Sequence, residues 1–192
     1  MTSSTLRPKA SLDAGRYHFD VRPVETADLP LINDWIASPF VARWWGSTDG
    51  DARQLRPEEL TEEGVELLIA SIRGEPFAFV QEYDPHSHPD HHFAHLPDGA
   101  RGLDLFIGRP ELSGSGQGTG LVRWLLQRLF ASGCPAVGID PAPDNHRAIR
   151  AFEKAGFART YVRDTQWGRC QLMEKYSTST TTVGNNTRNS WK

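Results

Sequence analysis

The sequence predicts a fold of mixed α and β class, and three features point to it. Residues 104–108 read as a strand that enters a loop holding Gly114, Gly116, Gly118 and Gly120. A helical pattern follows at once: Leu121, Val122, Trp124, Leu125, Leu129 and Phe130 recur at helical spacing. Elsewhere, extended runs come in pairs. VELLIASI and FAFVQEY flank the turn-like RGEP, and residues 157–162 and 170–176 flank RDTQWG.

The first alternating run is 17–23, YHFDVRP, an edge-strand pattern ended by Pro23. Thr26 or Asp28 is placed to cap a helix carrying Leu29, Leu31, Ile32, Trp35 and Ile36. FVARWWGS follows, with Trp44 and Trp45 adjacent. Neighbouring side chains diverge in regular structure, so either one ring packs and one covers the surface, or both wall a substrate cleft. Residues 47–64 are polar and acidic, a surface flap with a short helix start at Pro57. Gln81 and Tyr83 fall at the end of the first hairpin. Beyond the long helix, 136–139 is a short strand, followed by Asp140 and the loop PAPDNH. Asn145 then opens the helical run RAIRAFEKAGF, with Gly156 as its C-terminal cap.

The chain has 192 residues, enough for one domain with a substantial core. Residues 1–15 read as a loose arm, 16–176 as the domain, and 177–192 as a low-complexity tail. A net charge of -3 and a pI near 6.2 speak against nucleic-acid binding by a broad basic face. They suit a cationic substrate. Cys134 and Cys170 have no close pairing motif, which predicts packed thiols in a reducing compartment. No apolar run reaches membrane length and no signal-peptide pattern opens the sequence, so a cytoplasmic protein without membrane partners is expected.

Strand, glycine-rich loop and helix together suit a phosphate. Glycines allow close backbone approach, and the first-turn N–H groups with the helix dipole favour negative charge. No Lys follows the glycines, which excludes the P-loop pattern, and GxGxxG is poorly matched. A mobile linker is the plainer alternative, but linkers seldom run directly into an amphipathic helix.

The segment DPHSHPDHHFAHLPDGARG holds His86, His88, His91, His92 and His95 with Asp84, Asp90 and Asp98. That composition invites a metal. The spacing is irregular and lacks the i,i+4 geometry of HExxH, so no metal site is assigned and a solvated loop lining a polar cleft is expected.

The strand with SGSGQGTG and its helix, then IDPAPDN, then NHRAIRAFEKAGF, resemble the GNAT acyl-CoA N-acetyltransferase superfamily. VARWWG, GEPFAFVQEY, ARGLDLFIG, GTGLVRWLLQRLF and RAIRAFEKAGF are similar to its aminoglycoside 6′-N-acetyltransferases. The resemblance implies a mixed, mainly antiparallel central sheet with helices on both faces and two splayed central strands. It implies acetyl-CoA as co-substrate, held by Leu105, Phe106 and Ile107 of the strand. Gly114, Ser115, Gly116, Gln117, Gly118, Thr119 and Gly120 would take the pyrophosphate, and Asn145 would serve from the opposite wall. Asp104, placed at the head of the strand, becomes the candidate general base or amine-positioning group. Trp45, Gln81, Tyr83, Asp90 and Asp140 become acceptor-side residues beside Asp104, with Trp44 as part of the aromatic wall. The implied partner is a small cationic aminoglycoside, and the chain a monomer or weak homodimer.

The sequence departs from the family pattern in three places. Phe152 stands where many members hold a tyrosine that protonates the leaving thiolate; water or Tyr161 would have to serve instead. A thiol pKa near ~8.5 makes unassisted departure tolerable. Ser113 replaces the usual Gln or Arg of the loop, and the histidine-rich segment has no clear counterpart. Two rivals follow: acylation of another amine or hydroxylamine, of the siderophore-precursor kind, and a non-catalytic CoA-binding sensor. Siderophore-type enzymes usually carry His where Asp104 stands, which favours the aminoglycoside acceptor.

Overall fold

The computed structural model describes residues 18–45, 54–88 and 90–178. The expected arm at 1–15, nearly all of the tail and residues 47–53 of the acidic flap lie outside the described residues. Seven strands form one sheet: β1 (Phe19–Pro23), β2 (Val65–Ile72), β3 (Glu75–Tyr83), β4 (Arg101–Ile107), β5 (Ala136–Ile139), β6 (Ala158–Thr165) and β7 (Gly168–Tyr176). Four α-helices accompany them: α1 (Leu29–Ala37), α2 (Pro39–Ala42), α3 (Gln117–Ala131) and α4 (His146–Ala155). The strand order is β1-β2-β3-β4-β5-β7-β6, and every pair is antiparallel except β4 with β5.

Alternation along the strands divides the core. On one face Leu68, Val80, Leu103, Val137 and Met173 pack with Trp124, Leu125 and Leu129 of α3 and Ile149 and Phe152 of α4. On the other face Leu67, Ile69, Phe79 and Phe106 receive Ile32, Trp35 and Ile36 of α1. Asp28 does not cap α1 through its side chain. It accepts the Glu25 backbone N–H at 2.8 Å and pairs with Arg22 at 2.6 Å, which ties α1 to β1.

The histidine-rich segment is not the solvated loop that its polarity suggests. Phe93, Leu96 and Ala100 are buried against Ala136, Cys170 and Leu172, forming a third apolar cluster on the α1 side of the sheet. His91 and His92 are buried with them. His86 Nε2 meets the Leu96 carbonyl at 3.0 Å, and His95 Nε2 meets Glu174 Oε1 at 2.8 Å, which pins the loop at both ends. Two apolar anchors outweigh the polar composition because their burial removes large surfaces from water.

Candidate active site

The site begins where β4 and β5 part. They pair over only two rungs, Arg101 with Val137 and Gly102 with Gly138. Both glycines of the last rung lie under rings. A Cβ on Gly102 would fall 2.6 Å from Tyr83 Oη and closer to the ring carbon beside it, and one on Gly138 would fall 2.8 Å from Phe93. Side chains are therefore excluded at the point of divergence. Beyond it, β4 from Asp104 to Ile107 borders a cavity of about 340 Å³ instead of a neighbouring strand.

Asp104 sits in the middle of β4, since the strand starts three residues earlier than its apolar run suggests. It opposes Gln81 across the β3–β4 ladder, on the same face as Tyr83 and Gly102. Asp140 follows the last residue of β5 and also lines the cavity. The two carboxylates thus flank the mouth of the gap.

The donor side is built from backbone. Gly114 and Gly116 adopt φ of 79° and 88°, left-handed values that a side chain would strain. This turns the chain into the N-terminus of α3, where the amides of Gln117, Gly118 and Thr119 have no partner within the helix. Gly120 is different: its N–H donates to the Gly116 carbonyl at 2.9 Å, so it serves the helix instead of a ligand. Ser115 Oγ donates to the Leu112 carbonyl at 2.6 Å and closes the loop on itself. Ser113, Gly114, Gly116, Gly118 and Thr119 line the cavity.

The opposite wall is α4. Asn145 caps it, its side-chain oxygen accepting the Ala148 N–H at 3.2 Å, and the amide nitrogen remains as a donor. Arg147, Arg150 and Lys154 share the cavity rim with Asn145 and Phe152. Their spacing of three and four residues puts these cations on one helical face, a signal present in the sequence that motif matching passed over. The Arg147 guanidinium lies 4.8 Å from the Phe40 ring centroid.

Trp44 and Trp45 both line the cavity. Trp45 packs edge-on against Phe106 at 4.9 Å and Phe79 at 5.7 Å, whereas Trp44 lies under the Arg43 guanidinium at 4.6 Å. Tyr83 is placed differently from a contact residue: it is buried behind the cavity lining. Burial first, then Asp104 and Asp140, hold its phenol well above the usual range. Burial and then Asp140 push the Cys170 thiol up to about 12. Both groups therefore stay protonated near neutral pH, and neither acts as base or nucleophile. Gln81 is half-buried beside Asp104, outside the cavity lining, and Asp90 is exposed on the histidine loop away from it. Tyr161 is 49% exposed on the edge strand β6 and does not line the cavity, so it is not placed to serve a leaving thiolate. Sequence reasoning also missed Trp167 of the β6–β7 turn, whose ring lies 4.9 Å from His91 and 5.6 Å from His92. Among the described residues, no three His, Cys, Asp or Glu side chains are grouped to hold a metal ion.

The family profile for the acetyltransferase (GNAT) domain matches residues 25–165. The chain belongs to the GNAT acetyltransferase family. It is 34% identical over 140 residues to an aminoglycoside N(6′)-acetyltransferase type 1 of Klebsiella pneumoniae, covering 69% of this chain and 70% of the relative. A kanamycin resistance protein of Rhizobium radiobacter is 45% identical over 62 residues, 32% of this chain and 57% of that one. Among solved structures, the aminoglycoside acetyltransferase AAC(6′)-Ib in complex with coenzyme A is 33% identical with a TM-score of 0.73. That likeness covers 82% of this chain and 94% of the other. The same enzyme with coenzyme A and kanamycin gives a TM-score of 0.72. The sheet order, the splay at Gly102 and the glycine loop are thus the GNAT fold. Within the described residues no helix is long and apolar enough to cross a membrane.

Proposed function

We propose that the chain is an acetyl-CoA-dependent aminoglycoside 6′-N-acetyltransferase, with Asp104 and Asp140 receiving the acceptor amine. The observation that carries this is the meeting of two carboxylates with a glycine-loop cavity at one gap in the sheet. The residues suit the co-substrate. A left-handed glycine loop and unpartnered first-turn amides fit a pyrophosphate, and Arg147, Arg150 and Lys154 supply cations on the facing wall.

Acetyl-CoA supplies an acetyl group activated as a thioester. The free edge of β4 aligns it, and the amides of Gly114–Thr119 hold its phosphates. An aminoglycoside enters as a polycation, drawn by the carboxylates and bordered by Trp44 and Trp45. Its amine must be neutral to attack. Asp104 accepts the ammonium proton or orients the nitrogen through water, which places the lone pair toward the thioester carbonyl. A C–N bond forms and the C–S bond breaks. Phe152 lines the cavity without a donor, so the thiolate leaves unassisted or takes its proton from water. Free, buried Cys134 and Cys170 suit a reducing cytoplasm, and the protein works there as a monomer or weak homodimer.

The test is thiol release from acetyl-CoA on an amine panel. Release with kanamycin or tobramycin is expected. Release only with a hydroxylysine-type amine would replace the acceptor, and acetyl-CoA binding without turnover on any amine would make the protein a sensor.

A further inference from the structure

The acceptor site leaves the histidine-rich segment unexplained, and one of its rings is buried beside Asp140. We propose that His92 is a positioning residue of the acceptor site, holding the Asp140 carboxylate aimed at the incoming amine. This rests on the acetyltransferase function proposed above.

His92 Nε2 lies 3.0 Å from Asp140 Oδ2, with side-chain exposures of 3% and 12%. Neither ring nitrogen of His92 makes an aligned hydrogen bond, so the close approach to Asp140 is the one polar contact that its side chain has among the described residues. A buried imidazole with no other partner is costly, so its contact with Asp140 is the interaction that the site retains it for. Asp140 lines the cavity and His92 does not. The imidazole therefore stands behind the carboxylate and leaves its front free for substrate.

The ring is held rigidly. His91 stacks on it at 4.2 Å, Phe93 packs at 4.5 Å, and Trp167 covers it from the β6–β7 turn. The His92 carbonyl contacts His95 Nδ1 at 3.0 Å, and His95 is itself paired with Glu174. A clamped ring fixes its partner's rotamer more strictly than a surface side chain does.

Electrostatics supply the reason for a partner. Asp140 shares its surroundings with Asp104, the Tyr83 phenol and the Cys170 thiol. A carboxylate held in direction by the ring behind it presents its other oxygen to an ammonium group. His91 is held differently: Phe93 N–H donates to its Nδ1 at 3.1 Å, which leaves Nε2 as its donor, and no contact of His91 with Asp140 matches that of His92.

Steady-state kinetics on full-length H92A and H92Q test the assignment. H92A is expected to raise the kanamycin KM at least tenfold, to change kcat less than threefold, and to leave the acetyl-CoA KM within twofold. H92Q, whose side chain keeps a polar N–H group beside Asp140, should recover most of the loss. An unchanged kanamycin KM in H92A overturns the proposal. So does equal damage in H92A and H92Q with a raised acetyl-CoA KM, which marks a merely structural ring. A melting cycle of H92A, D140N and the double variant reads the pairing without turnover. The double variant should melt no lower than the worse single variant, and additive losses overturn the pairing. If the wild type turns over neither kanamycin nor tobramycin, the proposed function fails while the melting cycle still decides the His92–Asp140 contact.

Discussion

The histidine stack makes stability depend on pH. Burial, with His92 beside it, lowers the His91 imidazole from its ordinary 6.5 to about 4. The folded-state value is depressed, so the unfolded chain takes up the proton first as the pH falls. The contribution is complete above 6.5 and is lost between 6.5 and about 4. The full interval corresponds to roughly 3 kcal/mol, and solvent screening at the ring edge reduces it to about 1–2 kcal/mol. For a domain of this size that is a melting-temperature loss of about 3–6 °C. His91→Asn keeps an acceptor for the Phe93 N–H but does not titrate. Differential scanning calorimetry of both proteins from pH 7.5 to 4.5 provides the assay. H91N should start lower, having lost the ring packing, and should fall by about 3–6 °C less than the wild type across the range. Equal falls would refute the assignment of this pH dependence to His91.

Gly102→Ala puts a Cβ into the Tyr83 ring and should cost about 1–3 kcal/mol or more, read as a lower urea midpoint. A midpoint equal to wild type would show that the ring has room to move. Arg150→Ala with Lys154→Ala should raise the acetyl-CoA Kd about tenfold, less so at 0.5 M salt, while the acceptor KM stays constant. Phe152→Tyr restores a phenol to the cavity wall and should raise kcat by less than about tenfold, because a thiolate is already a tolerable leaving group.

Much of the architecture is legible in local pattern. The strand at 136–139, the hairpin of β2 and β3, and the left-handed Gly156 that ends α4 at φ 104° follow from spacing and turn chemistry. The last hairpin turns more tightly than its sequence suggests. Thr165 already pairs with Gly168, leaving a two-residue turn at Gln166 and Trp167. Asp104 lies inside its strand instead of at the head, because β4 begins with rungs at Arg101 and Gly102 shared with distant β5 and at Gly102 and Leu103 shared with β3. The histidine loop misled for a related reason. Phe93 and Leu96 are two apolar residues among many polar ones, and their partners are on β5 and β7. Nothing local marks His92 as the neighbour of Asp140, or Trp167 as its cover. Arg147, Arg150 and Lys154, by contrast, were readable from helical spacing alone.

Single-turnover acetylation of kanamycin by wild type and Asp104→Asn, with acetyl-CoA affinity measured on the same samples, tests the central claim most directly. D104N should slow acetyl transfer at least a hundredfold and leave acetyl-CoA affinity within twofold. Transfer at the wild-type rate, or a parallel loss of acetyl-CoA binding, would contradict the placement of the acceptor amine at Asp104.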